Sequence, residues 1–106
     1  MGEASNLIVP PTVAAALRAI GQALSRARRA RGDTQDVAGE RCGLHFQTVG
    51  RIERGDPTVG IGSVFSLMAI YGMSERLFDL GKDNDETRLL AVRALPKRGR
   101  RQPRAE

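Results

Sequence analysis

The chain has 106 residues, a net charge of +5 and a single cysteine, so it can bury one modest core and cannot form an intramolecular disulfide. Residues 82–106 contain eight Lys or Arg against four Asp or Glu, so most of the positive charge lies in that segment. No apolar stretch approaches the roughly 20 residues that span a bilayer, and the amino end lacks a signal-peptide pattern, so we expect a cytoplasmic protein.

The first predicted element is a flexible arm over residues 1–11, which ends in Pro10-Pro11, two residues that cannot donate backbone hydrogen bonds. Thr12 is a residue type that caps helices, so we expect the first helix to run from Val13 to Arg31. Its apolar side chains recur at spacings of three and four, which is the period of an amphipathic helix. They are Val13, Leu17, Ile20, Leu24 and Ala27.

Two short helices follow, with a glycine between them. We expect Thr34 to cap the second helix, Gln35–Cys42. Gly43 lies where the chain must reverse before the third helix, Phe46–Arg54. The apolar or small positions that pack these helices together are Ala38, Cys42, Leu44, Val49 and Ile52. Cys42 is therefore interpreted as a buried small hydrophobe, with a reactive thiol as the alternative.

The remaining apolar pattern predicts two more helices before the composition changes. The fourth helix covers Ile61–Tyr71 and a short fifth one covers Leu77–Leu80, with Gly72 between them. Residues 82–106 are predicted to be a basic, largely disordered tail with partial helix around Leu89–Leu95. We therefore expect an all-α fold, a compact five-helix bundle over residues 12–81.

The segment from residue 34 to residue 55 resembles the helix-turn-helix of Xre/Cro-type regulators. The matching residues are Thr34, Gln35, Gly43, Val49, Ile52, Glu53, Arg54 and Gly55. The resemblance extends from about Leu17 to Leu80 and implies a lambda-repressor-like DNA-binding domain. Ala38 and Gly39 depart from the family pattern, which usually has a larger aliphatic residue followed by alanine.

A helix-turn-helix implies a division of labour between its helices. The start of the second helix offers backbone N–H groups to a phosphate, and Gln35 is placed to add a side-chain donor. The outer face of the third helix reads bases in the major groove. The predicted DNA-binding residues are Gln35, His45, Phe46, Gln47, Thr48, Arg51 and Arg54.

Three of these residues have a competing interpretation. Gln35 could be only a solvated helix start. His45 sits at the N-cap position of the third helix, and Phe46 could pack back onto Leu44 or a neighbouring loop. For Glu53, the resemblance implies a structural ion pair with Arg28 rather than contact with DNA.

The sequence contains one histidine and no clustered carboxylates or metal-ligand spacing, so we expect neither an enzyme nor a cofactor nor a metal site. The expected function is a sequence-specific transcriptional repressor that binds double-stranded operator DNA as a homodimer. An RNA-binding module is disfavoured because no stacking aromatic lies near the basic tail.

The turn from Asp56 to Gly62 and the Arg-rich tail look like those of HipB-type antitoxins. That resemblance implies an antitoxin that neutralises a HipA-like kinase and represses its own operon. The alternative is a stand-alone Xre-type regulator without a toxin partner.

Overall fold

The computed structural model describes residues 7–82 and 85–94. Those residues form only helices and the turns between them. The elements are α1 (Pro11–Ala30), α2 (Gln35–Cys42), α3 (Phe46–Glu53), α4 (Ile61–Ile70), α5 (Ser74–Leu80) and α6 (Asp85–Ala94). No helix within these residues is both long and apolar enough to cross a membrane.

The first helix begins earlier than the sequence predicts. Pro11 is its first residue and Pro10 is the N-cap, so the expected cap at Thr12 is wrong. Proline is favoured at the first position of a helix because its φ is already helical and its missing N–H would have had no partner there. The predicted arm therefore loses its last residue to the helix, and residues 1–6 lie outside the described part of the chain.

Local capping contacts and one glycine define α2 and the turn that leads into α3. The Thr34 hydroxyl accepts from the backbone N–H of Val37 at 3.1 Å, which caps α2. Gly43 ends α2 with a φ of 74°, a conformation that costs residues with a Cβ more than glycine. Nδ1 of His45 then caps α3 by accepting from the N–H of Gln47 at 3.2 Å. These residues set both ends of α2 and the start of α3.

The core lies between the first four helices, where α2 packs against both α3 and α4 and α1 packs against α3. It consists of Leu24, Ala38, Val49, Ile52, Leu67, Met68 and Tyr71. The leucine, valine and isoleucine side chains each contribute about 1.5–3 kcal/mol by leaving water. Val13, which the sequence assigns to the packed face of the first helix, is 45% exposed. Val13 lies eight residues, about 12 Å of helix, before Gly21, where the α1 backbone meets α3, so it lies beyond that contact.

Two glycines allow backbone to approach backbone at the centre of the fold. A Cβ at Gly21 on α1 would lie 2.6 Å from the carbonyl oxygen of Ile52 on α3. A Cβ at Gly39 on α2 would overlap the carbonyl oxygen of Leu44. Gly39 is also buried, so the glycine that departs from the family pattern fits a close contact that alanine would break.

The described residues contain six helices where the sequence predicts five. The additional helix is α6, which lies where the sequence predicts partial helix around Leu89–Leu95 and begins four residues earlier, at Asp85. Its residues explain the difference, since Asp85 and Glu86 stand in the first turn and Arg93 in the last, as the helix dipole favours. Leu89, Leu90 and Val92 on α6 are at least half exposed. The basic stretch that follows lies outside the described residues.

Candidate nucleic-acid interface

The carboxyl end of α3 is tied to α1 by an ion pair with two hydrogen bonds. Nε of Arg28 donates to Oε2 of Glu53 at 2.7 Å, and Nη2 donates to Oε1 at 3.1 Å. Only 12% of the Arg28 side chain and 8% of the Glu53 side chain are exposed. The hydrogen bond to Glu53 raises the pKa of the Arg28 guanidinium. This charged pair therefore stabilises the position of α3 rather than facing the solvent.

Gln35 lies at the first position of α2 and reaches the same carboxylate. Its Nε2 donates to Oε1 of Glu53 at 3.1 Å. An amide nitrogen carries two hydrogens, so one remains to donate elsewhere. Because the pair with Arg28 fixes Glu53, it also orients the Gln35 amide. The side chain is thus held in place at the start of the helix.

The amino end of α3 faces outward. His45, Phe46 and Gln47 are exposed, whereas Thr48 is half-buried. Phe46 is 44% exposed. The centroid of its ring lies 4.7 Å from the centroid of the His45 ring. His45 caps the helix through Nδ1, which leaves Nε2 as the atom that can donate to a ligand. Capping and DNA contact by His45 are therefore compatible.

Arg51, one and a half turns further along α3, is held by the turn that follows the helix. Its Nε donates to Oδ2 of Asp56 at 2.9 Å, and its Nη2 donates to Oγ1 of Thr58 at 2.6 Å. Hydrogen bonds from the Thr58 hydroxyl and from Arg51 lower the pKa of Asp56 to about 2. The carboxylate is therefore charged at neutral pH. Neither partner is among the site residues predicted from the sequence, although an Asp-Pro-Thr turn is a sign of local side-chain hydrogen bonding.

Gln35 and Arg54 both lie over Gly50, which has no side chain to keep them away from the α3 backbone. A Cβ at Gly50 would lie 3.2 Å from Nη1 of Arg54 and 3.5 Å from the amide atoms of Gln35. The two side chains border a shallow concavity of about 310 Å³. It is lined by Gln35, Phe46, Gln47, Gly50, Arg51 and Arg54. The structure thus brings five of the seven predicted DNA-binding residues to one surface, with Thr48 and His45 not among its lining residues.

A second polar cluster surrounds Asp33, in the loop that precedes α2. Tyr71 donates its hydroxyl to Oδ2 of Asp33 at 3.0 Å, and Arg41 lies 3.6 Å from Oδ1 of the same carboxylate. Burial, followed by the bond to Asp33, raises the pKa of Tyr71 to about 12. The guanidinium of Arg31 lies 5.3 Å from the centroid of the Tyr71 ring. This cluster fixes the loop before α2, and sequence reasoning did not foresee it.

Cys42 is partly buried on α2, and its Sγ lies 3.3 Å from the carbonyl oxygen of Ala38. Burial raises the pKa of this thiol, which disfavours the reactive thiolate. Within residues 7–82 and 85–94, no cluster of His, Cys, Asp or Glu could hold a metal ion.

Two helices joined by a tight turn, with polar side chains and arginines on the outer face of the second, define a DNA-binding domain of the helix-turn-helix class. The family described as a helix-turn-helix domain matches residues 19–80, which is more than half of the chain. The chain belongs to this family. No curated protein and no solved structure matches it significantly.

Proposed function

We propose that the protein is a sequence-specific transcriptional repressor that binds double-stranded operator DNA. The observation that carries this proposal is the surface where α2 begins beside the outer face of α3. It combines an amide at a helix start, an exposed apolar ring and two arginines. These groups match what a duplex offers, namely phosphates at the groove edge and base edges with thymine methyl groups within the groove.

The roles divide along the two helices. Gln35 and Arg54 both lie over Gly50 of α3, beside the start of α2, where the helix dipole and free N–H groups favour a phosphate. Gln47 is exposed on α3 and can bond bidentately to adenine, and Phe46 can contact a thymine methyl group. Arg51 is the candidate for a guanine. In this proposal α2 positions the protein, and α3 reads the sequence.

Homodimerisation is part of the proposal. One recognition helix reads about half of an operator, and two-fold operators match two-fold proteins. Binding to an operator also requires the compartment that holds the chromosome, so we propose a cytoplasmic location. No catalytic step or cofactor is part of this function.

We further propose the narrower role of an antitoxin that neutralises a HipA-like kinase and represses its own operon. It is supported by the likeness of the Asp56–Gly62 turn to HipB-type antitoxins. The alternative is a stand-alone Xre-type regulator. A kinase-like gene next to this one, and a kinase that copurifies with the protein, would favour the antitoxin. A phage or metabolic neighbour would favour the stand-alone regulator.

Selection from random-sequence duplex DNA tests the main proposal. We expect enrichment of one motif, with two-fold symmetry if the protein binds as a dimer. Gln47→Ala should lose selectivity at one base position. Gln22→Ala is a matched control because Gln22 is exposed on α1, outside the helix-turn-helix. Failure to enrich any motif would overturn the proposal.

A further inference from the structure

Arg51 is the only predicted base-reading side chain whose end is held by other side chains within the described residues. Its two acceptors, Asp56 and Thr58, lie beyond the end of α3. The Arg51 side chain is 40% exposed and that of Asp56 is 29% exposed, so the pair lies at the surface but is not fully solvated. Arg51 is therefore held by two other side chains on the surface that we propose binds DNA.

The contacts occupy one edge of the guanidinium and leave another open. Nε and one hydrogen of Nη2 point the same way, toward Asp56 and Thr58. No acceptor in the described part of the chain reaches Nη1 of Arg51. The edge formed by Nη1 and the second hydrogen of Nη2 can therefore donate two parallel hydrogen bonds. Guanine presents a matching pair of acceptors, O6 and N7, in the major groove.

The acceptors are themselves fixed. Oδ1 of Asp56 accepts from the backbone N–H of Thr58 at 2.8 Å and from its hydroxyl at 2.6 Å. The same hydroxyl receives the hydrogen bond from Arg51, so the three side chains form a closed set of contacts. A guanidinium ordered before binding loses less rotamer entropy when it meets its ligand. The turn after α3 thus orients the arginine in advance.

We propose that Asp56 and Thr58 are positioning residues that aim Arg51 at a guanine and thereby set the base preference at one operator position. This inference rests on the proposed DNA-binding function. The Asp56 carboxylate acts in two ways: it holds Nε of Arg51, and its charge opposes phosphates that approach without the correct base. The Asp56 carboxylate therefore increases the ratio of specific to non-specific affinity, and it does not increase both affinities together.

The test measures dissociation constants for the selected site, for the same site with 7-deazaguanine at the guanine assigned to Arg51, and for random duplex. The variants are Arg51→Ala, Asp56→Asn and Thr58→Val, with Thr58→Ser as the conservative partner that keeps the hydroxyl. Asp79→Asn removes an equal charge from α5 and is the control, since Asp79 pairs only with exposed Lys82 among the described residues. Circular dichroism checks that each variant folds.

A bidentate arginine–guanine pair discriminates by about 5- to 150-fold. We expect Arg51→Ala to lose this factor and to become insensitive to 7-deazaguanine. Asp56→Asn should lower the ratio of specific to random binding by about fivefold or more, while its affinity for random duplex stays equal or rises. Thr58→Val should lower the same ratio, and Thr58→Ser should restore it. If Asp56→Asn does not fold, the comparison of Val with Ser at position 58 carries the test.

Three results would overturn the inference. Arg51→Ala could weaken selected and random duplexes equally, which would make Arg51 a phosphate ligand. Asp56→Asn could tighten both duplexes by the same factor, as Asp79→Asn would, which would make its effect one of net charge. The two Thr58 variants could behave alike. In each of these cases the wild-type protein still selects a DNA motif, so only the inference about Asp56 and Thr58 fails. If the wild-type protein selects no motif, the proposed DNA-binding function itself is wrong.

Discussion

Replacing Glu53 with alanine should damage folding before it damages recognition. Arg28 would lose both hydrogen bonds of the ion pair, at 2.7 and 3.1 Å, and would keep its charge in a site where only 12% of its side chain is exposed. Removing one partner of a buried ion pair costs about 3–5 kcal/mol. Nη1 of Arg28 still donates to the carbonyl oxygen of Asp33 at 2.9 Å, so we expect the lower end, about 3 kcal/mol.

Thermal unfolding followed by circular dichroism measures this loss. In a domain of this size, about 1 kcal/mol shifts the melting temperature by about 4–8 °C, so Glu53→Ala should lower it by about 12–24 °C. The matched control is Asp79→Ala, which breaks the exposed pair with Lys82, whose atoms lie 3.3 Å apart. An exposed pair contributes at most about 1 kcal/mol, so this variant should melt close to the wild type.

A double variant separates the unpaired charge from the lost contact. Arg28→Met combined with Glu53→Leu removes both charges and fills the space with apolar atoms. It should be more stable than Glu53→Ala alone, because the dominant cost is a buried charge without its partner. If Glu53→Ala melts within about 2 °C of the wild type and yet no longer binds DNA, the structural role is refuted and Glu53 belongs to the interface.

Four further outcomes are expected. Gln47→Ala should cost about 1–3 kcal/mol on the selected operator and little on random duplex, as measured by titration; equal losses would make Gln47 a phosphate contact. Gly39→Ala should destabilise the fold by about 1–3 kcal/mol through overpacking, whereas Gly62→Ala, with open space around its Cβ position, should be neutral or stabilising by up to about 1 kcal/mol. The pKa of Tyr71 is raised to about 12, so its contribution to stability should be complete below pH 10 and lost as the pH rises through 12. Because Tyr71 is the single tyrosine, near-ultraviolet absorbance follows it directly, and a midpoint near 10 in the folded protein would contradict the buried hydrogen bond. Truncation after Leu95 should leave the melting temperature unchanged and flatten the salt dependence of DNA binding by about 0.9 per lost phosphate contact; equal slopes would remove the tail from the DNA interface.

Local signals in the sequence predict the helix-turn-helix well. The start of α2 follows from Thr34, a capping residue, and its end follows from Gly43, which adopts positive φ. Both signals act within four residues of the helix they bound, so no knowledge of the rest of the fold is needed. The start of α3 at Phe46 agrees with the predicted N-cap position of His45, although histidine is not a residue type that commonly caps helices.

Contacts between distant segments could not be predicted from such signals. Tyr71 and Asp33 are 38 residues apart, and the sequence pattern marks Tyr71 only as an apolar position of a helix. Gly39 looks unfavourable in the sequence because a glycine inside a helix costs about 1 kcal/mol against alanine. The structure shows why it is tolerated, since the carbonyl of Leu44 occupies the space of a Cβ.

The environment of Arg51 could be predicted from the sequence only in part. Its spacing on α3 predicts an outward side chain, and the structure places it at the concavity. Its partners, however, depend on the path of the chain after the helix ends. That path brings Asp56 within 2.9 Å of Nε and Thr58 within 2.6 Å of Nη2, a geometry that neither residue type indicates alone.

The two ends of α3 differ in their contacts with the rest of the fold. At the carboxyl end, Gly21 lets the α1 backbone touch α3, and the Arg28–Glu53 pair ties the same two helices together. At the amino end, Phe46 and Gln47 face outward. Because the anchoring contacts and the proposed base-reading side chains involve different residues, we expect substitutions at Phe46 and Gln47 to change the preferred operator with little change in stability. Substitutions at Gly21, Arg28 or Glu53 disturb the packing of α3 on α1, so we expect them to alter recognition only by way of the fold.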